Sequence, residues 1–261
     1  MSEALITVTD LTMGFDEVTL FEHLSFEVAR GEVFTILGGS GCGKSTLLRC
    51  IIGLETPLQG EISIAGIGKP NLDAGRPPFG VMFQSGALFG SMTVGENVAV
   101  ALTQWTDLTR DAVEAVVLAK LRLVGLEGAA NKFPSEISGG MKKRAAIARA
   151  LALEPELIFL DEPSAGLDPV SAVELDDLII SMNQAFGLTV VIVTHELESI
   201  FKIASRCIML DKTTKGIIAS GSPKQLRDES RDPRVHSFFN RLPRPSYWRH
   251  LAITGSSACS S

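Results

Sequence analysis

Short apolar runs broken by turn residues open the chain, and runs of helical period fill its middle. Leu24–Ala29 alternates apolar with polar positions, the period of a strand with one buried face. Arg30–Gly31 turns the chain, and Val33–Leu37 is an unbroken apolar run suited to a strand covered on both faces. The first 37 residues thus read as strands. A glycine-rich stretch then precedes a helical segment from Lys44 to Ile52, which stops at Gly53. Glu61–Ala65 predicts a further strand, and residues 66–78, with three prolines and three glycines, predict a loop. Phe79–Phe83 is apolar and extended.

The period then changes. Thr93 and Glu96 have the spacing of a capping box and start a helix that runs to about Leu102. Thr109 caps a second, with Val113, Val117, Leu121 and Val124 on one face before Gly125 ends it. Residues 90–135 therefore read as a helical insertion in an α/β domain, extended to about 153 by the helix that follows Ser138. Beyond it Leu157–Leu160 and Leu188–Val193 are apolar throughout, as in a covered parallel sheet, and Pro169 begins the helix between them. The organisation expected is one domain over residues 1–230 and a polar C-terminal extension over 231–261.

Composition narrows the class. The 261 residues are 45% apolar and 21% charged, which fits a globular chain able to bury roughly three quarters of its unfolded surface. A net charge of −6 weighs against nucleic acid as a partner. The four cysteines, at 42, 50, 207 and 259, have neither metal-site nor disulfide-scaffold spacing and read as reduced thiols. The start of the chain does not read as a secretory signal, and no apolar run reaches the ~18 residues of a membrane span, so membrane work would go through a partner.

The chemistry begins at Gly38-Gly39-Ser40-Gly41-Cys42-Gly43-Lys44-Ser45-Thr46, which fits G-x-x-x-x-G-K-[ST] between a strand and a helix. Its glycines let main-chain N–H groups face phosphate oxygens, Lys44 would reach the β- and γ-phosphates, and Ser45 would ligate Mg²⁺. Leu157–Leu160 delivers Asp161 and Glu162 at its C-terminal end. Asp161 can hold Mg²⁺ directly or through water, and Glu162 can polarise an attacking water. Ser138-Gly139-Gly140-Met141 is either a plain helix start or a second anion site, for a second ligand or a partner subunit's nucleotide.

Together these motifs resemble the ATP-binding subunit of ABC transporters over about residues 5–225. The resemblance implies a P-loop NTPase core with a mostly parallel sheet, an N-terminal antiparallel β part and a helical insertion, and it implies ATP hydrolysis with Mg²⁺. Ile137-Ser138-Gly139-Gly140-Met141 stands where the family has its signature, which closes on the partner's ATP in a head-to-tail homodimer. Gln84 matches the glutamine that senses Mg²⁺ and the membrane partner. Ser164–Asp168 matches the D-loop, His195 the switch histidine and Phe15 the aromatic that stacks on adenine.

A narrower resemblance, to the ATPases of MCE-linked, Mla-type phospholipid transporters, rests on Phe83–Phe89, on Met141, and on Asp232-Pro233-Arg234-Val235 before Phe238-Phe239. It implies an integral membrane permease, a membrane-anchored MCE protein and a small STAS-domain subunit as partners. It also implies a peripheral position on the cytoplasmic face of the inner membrane. The competing functions are the motor of a small-solute importer and a soluble ABC ATPase acting on ribosomes or DNA.

Other residues keep two readings. Leu88 and Phe89 are either buried core or, as in the family, the groove that receives the permease. Lys142, Lys143, Arg144 and Arg149 read as a solvated helix face. His23, His236 and His250 have no metal-ligand spacing. The tail, with Phe238, Phe239, Tyr247 and Trp248 among its arginines, is a surface extension or a docking segment. Cys42, beside Lys44 at a helix start, is either a stabilised thiolate or a small apolar filler.

Overall fold

Two sheets share one apolar layer. The structure is a computed structural model that describes residues 3–15, 18–71 and 75–242. Strands β1 (Ala4–Phe15), β2 (Val18–Ala29) and β4 (Gln59–Ile64) form an antiparallel sheet in the order β2-β1-β4. The second sheet contains β3 (Val33–Gly38), β5 (Gly80–Met82), β6 (Leu157–Asp161), β7 (Thr189–Val193), β8 (Arg206–Asp211) and β9 (Gly216–Gly221). Its order is β5-β6-β7-β3-β8-β9, parallel except for the β8–β9 pair. Every residue of β3, β6 and β7 is buried, which is why these segments read as continuous apolar runs.

One face of this sheet packs on the antiparallel sheet and on α1 (Lys44–Ile51), with Phe21, Phe34, Leu47 and Phe159 among the fully buried side chains. The other face carries α2 (Val94–Trp105), α3 (Arg110–Leu123), α4 (Gly139–Ala150) and α5 (Pro169–Phe186). The expected helix starts are present: Thr93 and Glu96 make a full capping box, and the Thr109 hydroxyl accepts from Ala112 N. Val113, Val117, Leu121 and Val124 are all buried, and α2 runs three residues beyond Leu102.

A third apolar cluster, which the pattern of residues did not suggest, lies under α6 (Leu197–Ile203), α7 (Pro223–Glu229) and α8 (Pro233–Phe239). Asp232 caps α8, and Val235 and Phe239 are buried with Leu37, Leu197 and Ile200. Arg234 ties the helix down through Asp211 at 2.8 Å and Asp232 at 2.6 Å. The expected boundary at 230 therefore cuts through the packed domain, and Phe239 docks on its own chain. A pair of apolar residues four apart, set among Pro, Arg and Asp, is too short a pattern to reveal that. Tyr247, Trp248, His250 and Cys259 lie outside the described residues.

One buried carboxyl sits where α5 meets α6. Asp176 is 3% exposed; burial pushes its carboxyl above the usual range, against the opposing effects of the Ser199 hydroxyl and the Lys202 charge. A raised carboxyl favours the folded state fully below the unfolded value of about 3.9, and that contribution is lost as pH rises through the folded value. Asp176→Asn keeps the Ser199 hydrogen bond without the charge. Its melting temperature at pH 7–8 should exceed wild type by a few degrees, the scale of about 1 kcal/mol. The difference should close below about pH 3.5. Thermal melts across pH check this, and a lower midpoint at pH 8 contradicts it.

Candidate active site

The loop after β3 forms the floor of a cleft of about 970 Å³. Gly38, Gly39, Ser40, Gly41, Gly43, Lys44, Ser45 and Thr46 line it, together with Gln84, Glu162 and His195. Gly43 adopts φ +90°, and a Cβ there would meet the Phe21 ring at 2.5 Å, so only glycine lets the chain turn into α1 over the core. No side chain caps α1, which leaves its first N–H groups turned toward the cleft at the positive end of the helix. Lys44 curls over the same hollow, its Nζ donating to Gly38 O at 3.1 Å and Gly39 O at 3.3 Å. Such a cradle is built for a polyphosphate.

The carboxylates arrive from β6. Ser45 Oγ donates to Asp161 Oδ1 at 3.1 Å, so two of the three expected Mg²⁺ ligands touch. Burial pushes the Asp161 carboxyl up, the Ser45 hydrogen bond opposes this, and neighbouring Glu162 adds to it. Glu162 is buried, with φ +48°, a left-handed conformation that costs a non-glycine residue about 1–3 kcal/mol. Its N–H donates to Val193 O at 2.8 Å. His195 Nδ1 donates to Glu162 Oε1 at 2.8 Å, while Oε2 is buried without a hydrogen-bond partner among the described residues. A buried acceptor left open in a cleft is a place for a bound water or substrate.

Two basic residues read as solvated prove to be structural to the site. Lys143 is 7% exposed; its Nζ donates to Gln84 O and, at 3.1 Å, to Glu162 O. Arg149 is half-buried and donates to Ala87 O at 2.7 Å and Gly86 O at 2.9 Å. Burial lowers the pKa of both, and the Asp161 and Glu162 charges oppose this at Lys143. Asn97, fully buried at the start of α2, was also missed: it accepts from Phe89 N at 2.7 Å, and its two amide N–H groups are shared among the carbonyls of Phe89, Met92 and Thr93. Each such bond is worth about 1 kcal/mol, and together they fix the loop that carries Phe89. No periodicity marks these three residues, because their partners are carbonyls remote in sequence or in loops.

Several expected residues lie elsewhere. Ser138 caps α4, accepting from Met141 N at 3.3 Å, and Ser138 and Gly139 face solvent, outside the cleft. Asp168 caps α5, accepting from Val170 and Ser171, and is likewise outside it. Phe15 is 46% exposed at the end of β1; Leu20, Phe238 and Arg241 line the cleft instead. Phe89 is 50% exposed, whereas Leu88 is half-buried against the core. Cys42 corrects the thiolate expectation. Its thiol is 5% exposed and packed toward Gly38, and burial raises its pKa more than Lys44 lowers it.

The donors suit Mg²⁺ bound together with phosphates. A hydroxyl, a carboxylate and an amide oxygen are hard ligands, and no group of three His, Cys, Asp or Glu side chains among the described residues forms a cage of its own. No helix of the described residues is long and apolar enough to cross a membrane.

Comparison with known proteins gives consistent relatives. The ABC transporter family profile matches residues 21–165. The intermembrane phospholipid transport system ATP-binding protein MlaF of Escherichia coli K12 is 41% identical over 91% of this chain and 89% of its own length. MlaF of Haemophilus influenzae is 40% identical over 91% of each chain. The probable ribonucleotide transport ATP-binding protein mkl of Mycobacterium leprae is also 40% identical, over 90% of this chain and 68% of its own. Among solved structures, a dimeric post-hydrolysis state of the ATP-binding cassette MJ0796 with ADP and Pi superposes with a TM-score of 0.74 at 29% identity, covering 83% of this chain and 98% of the other.

The inward thiol yields a simple expectation. Burial also raises the thiols of Cys50 and Cys207, these two to about 12, so maleimide should label Cys42 in the native protein as slowly as those two. All three should react rapidly in urea. Peptide mass spectrometry of a labelling time course checks this; fast native labelling of Cys42 that nucleotide suppresses would restore the thiolate reading.

Proposed function

This chain belongs to the ABC transporter ATP-binding family, and we propose that it is the motor subunit of a system that moves phospholipid between membranes. It is an ATPase. The observation that carries the reading is the open Oε2 of Glu162, buried in a cleft whose floor is a phosphate cradle and whose other carboxylate oxygen is held by His195. The identity to MlaF proteins over nine tenths of the chain supports the lipid cargo.

The chemistry follows from the residues. ATP phosphates would lie on the N–H groups of the 38–46 loop, with Lys44 leaving its own carbonyls for the β- and γ-oxygens. Ser45, Asp161 and Gln84 would hold Mg²⁺, which neutralises charge on the phosphates when bound. Glu162 Oε2 takes the proton of a water aimed at the γ-phosphate, and His195 keeps the carboxylate turned toward it. Phe15, exposed at the end of β1, is available to stack on the adenine.

Pairing follows from the groups outside the cleft. Ser138, Gly139, Gly140 and Met141 present the positive end of α4 to solvent, where a second copy's ATP would meet them, with Asp168 near the same junction. The dimeric MJ0796 relative supports a homodimer closed by nucleotide. Phe89, exposed on a loop that Asn97 holds rigid, offers an apolar anchor to an integral membrane permease. An MCE-type membrane-anchored protein and a STAS-domain subunit complete the assembly, in which this chain lies peripherally at the cytoplasmic face of the inner membrane. A second reading, a ribonucleotide or other small-solute cargo, rests on the mycobacterial relative, of which this chain spans about two thirds.

Glu162→Gln should bind ATP as wild type does, lose about 10²–10⁴-fold in hydrolysis, and accumulate as a dimer with ATP and Mg²⁺ on a sizing column. A monomer under those conditions counts against the paired motor. Phe89→Asp should leave folding and ATP binding intact and abolish recovery of the permease from detergent-solubilised membranes, since burying an ionised carboxylate is unfavourable. Mass spectrometry of lipids in the wild-type complex distinguishes the cargo readings. A transport-competent complex carrying Phe89→Asp sinks the docking assignment.

A further inference from the structure

Glu162 holds a left-handed backbone that its own side chain does not favour, so its surroundings must keep it there. On one side its N–H is tied to Val193 O. On the other its carbonyl accepts from the ammonium of Lys143, which is buried on α4 and donates to Gln84 O as well. Rotation about the N–Cα bond of Glu162 toward negative φ would relieve the backbone, carry its carbonyl off Lys143 and swing the carboxylate off His195.

We infer that Lys143 is a positioning residue for hydrolysis: its buried ammonium joins the main chain of Gln84 to that of Glu162 and so keeps the Glu162 carboxylate aimed into the cleft. A cation suits the task better than an amide because Asp161 and Glu162 lie close enough to favour its charge in a buried place. Its second bond gives the task a direction. The segment it grips at Gln84 continues through Gly86 and Ala87, whose carbonyls Arg149 holds from the same helix. A displacement of the 84–89 segment is thereby passed to the Glu162 carbonyl through a single side chain. The inference rests on the reading of Glu162 as the carboxylate that polarises water.

The test uses the full chain with Lys143→Met, Lys143→Arg, Glu162→Gln and the double variant Lys143→Met/Glu162→Gln. Steady-state hydrolysis gives kcat and KM, binding of a fluorescent ATP analogue gives affinity, and single-turnover assays give the residual rate of the Glu162→Gln pair. Lys143→Met should lower kcat by about 10²-fold, the scale of an ångström-sized misplacement. KM and affinity should stay within about twofold, and Lys143→Arg, which keeps a charged donor, should recover most of the rate. In the Glu162→Gln background the same change should alter the residual rate less than about twofold, because the group being positioned is gone. Should Lys143→Met not fold, Lys143→Gln carries the same prediction with a smaller fall.

A kcat near wild type in a folded Lys143→Met, a parallel loss of affinity, or a full multiplicative effect in the double variant overturns the inference alone. Near-wild-type hydrolysis by Glu162→Gln overturns the reading of Glu162 and the inference with it.

Discussion

The parallel register of β3, β6 and β7 is the constraint on which the site depends. Asp161 pairs with Val193 and Ile36 pairs with the same residue, so the glycine-rich loop, the two carboxylates and His195 leave the sheet at one edge. Crossover connections force each parallel strand to start again from the far side, which brings every carboxyl end to this edge. All three strands are buried on both faces, and a slip of one residue would exchange the side chains on those faces. It would also separate His195 Nδ1 from Glu162 Oε1, now 2.8 Å apart. The burial of apolar strands thus sets an ångström-scale alignment of polar groups that scarcely attract one another by themselves.

Net charge says little about such a place. The chain carries −6 overall, yet its cleft is lined by the unsatisfied N–H groups of α1 and by Lys44. Field at this range is set by the nearest dipoles and charges, since the rest are screened beyond about 8–10 Å. Asp161 illustrates the local balance. Burial and Glu162 disfavour its charge, and the Ser45 hydroxyl only partly compensates. A cation bound between Ser45 and Asp161 would relieve that opposition, so the same burial that raises the carboxyl increases the gain from binding an ion there.

What the sequence disclosed and what it concealed follow a physical line. The turn over Gly38–Thr46 was legible because glycine spacing reports main-chain geometry directly. Asp161 and Glu162 were legible because an apolar run names its own end. Lys143, Arg149 and Asn97 were not, because each is defined by carbonyls that only folding brings near. A lysine on a helix is ordinarily solvated, and no pattern within α4 distinguishes Lys143 from Lys142. Cys42 failed for a related reason: its sequence neighbours favour a thiolate, and its packing against Gly38 removes the solvent that would sustain one. Phe239 was concealed by its setting, a packed residue in a segment whose composition reads as surface.

Two of these concealed residues, Lys143 and Arg149, lie on α4, and the attachments of that helix explain why. β5 is an edge strand of only three residues, paired to β6 alone, so the ladder holds the segment that follows it weakly. The missing hold is supplied from α4. A Cβ at Gly80 would collide with the Ala150 carbonyl, which puts the end of the helix hard against the start of the strand. Arg149 takes the carbonyls of Gly86 and Ala87, and Lys143 takes that of Gln84. Ala145, Ala146 and Ala148, all fully buried, keep the helix close enough for side chains of that reach to arrive. The N-terminus of the same helix presents Ser138 and Gly139 to solvent. A single rigid element therefore joins an outward-facing helix N-terminus, the loop bearing Phe89 and the backbone of Glu162, three places that the strand ladder alone would leave independent.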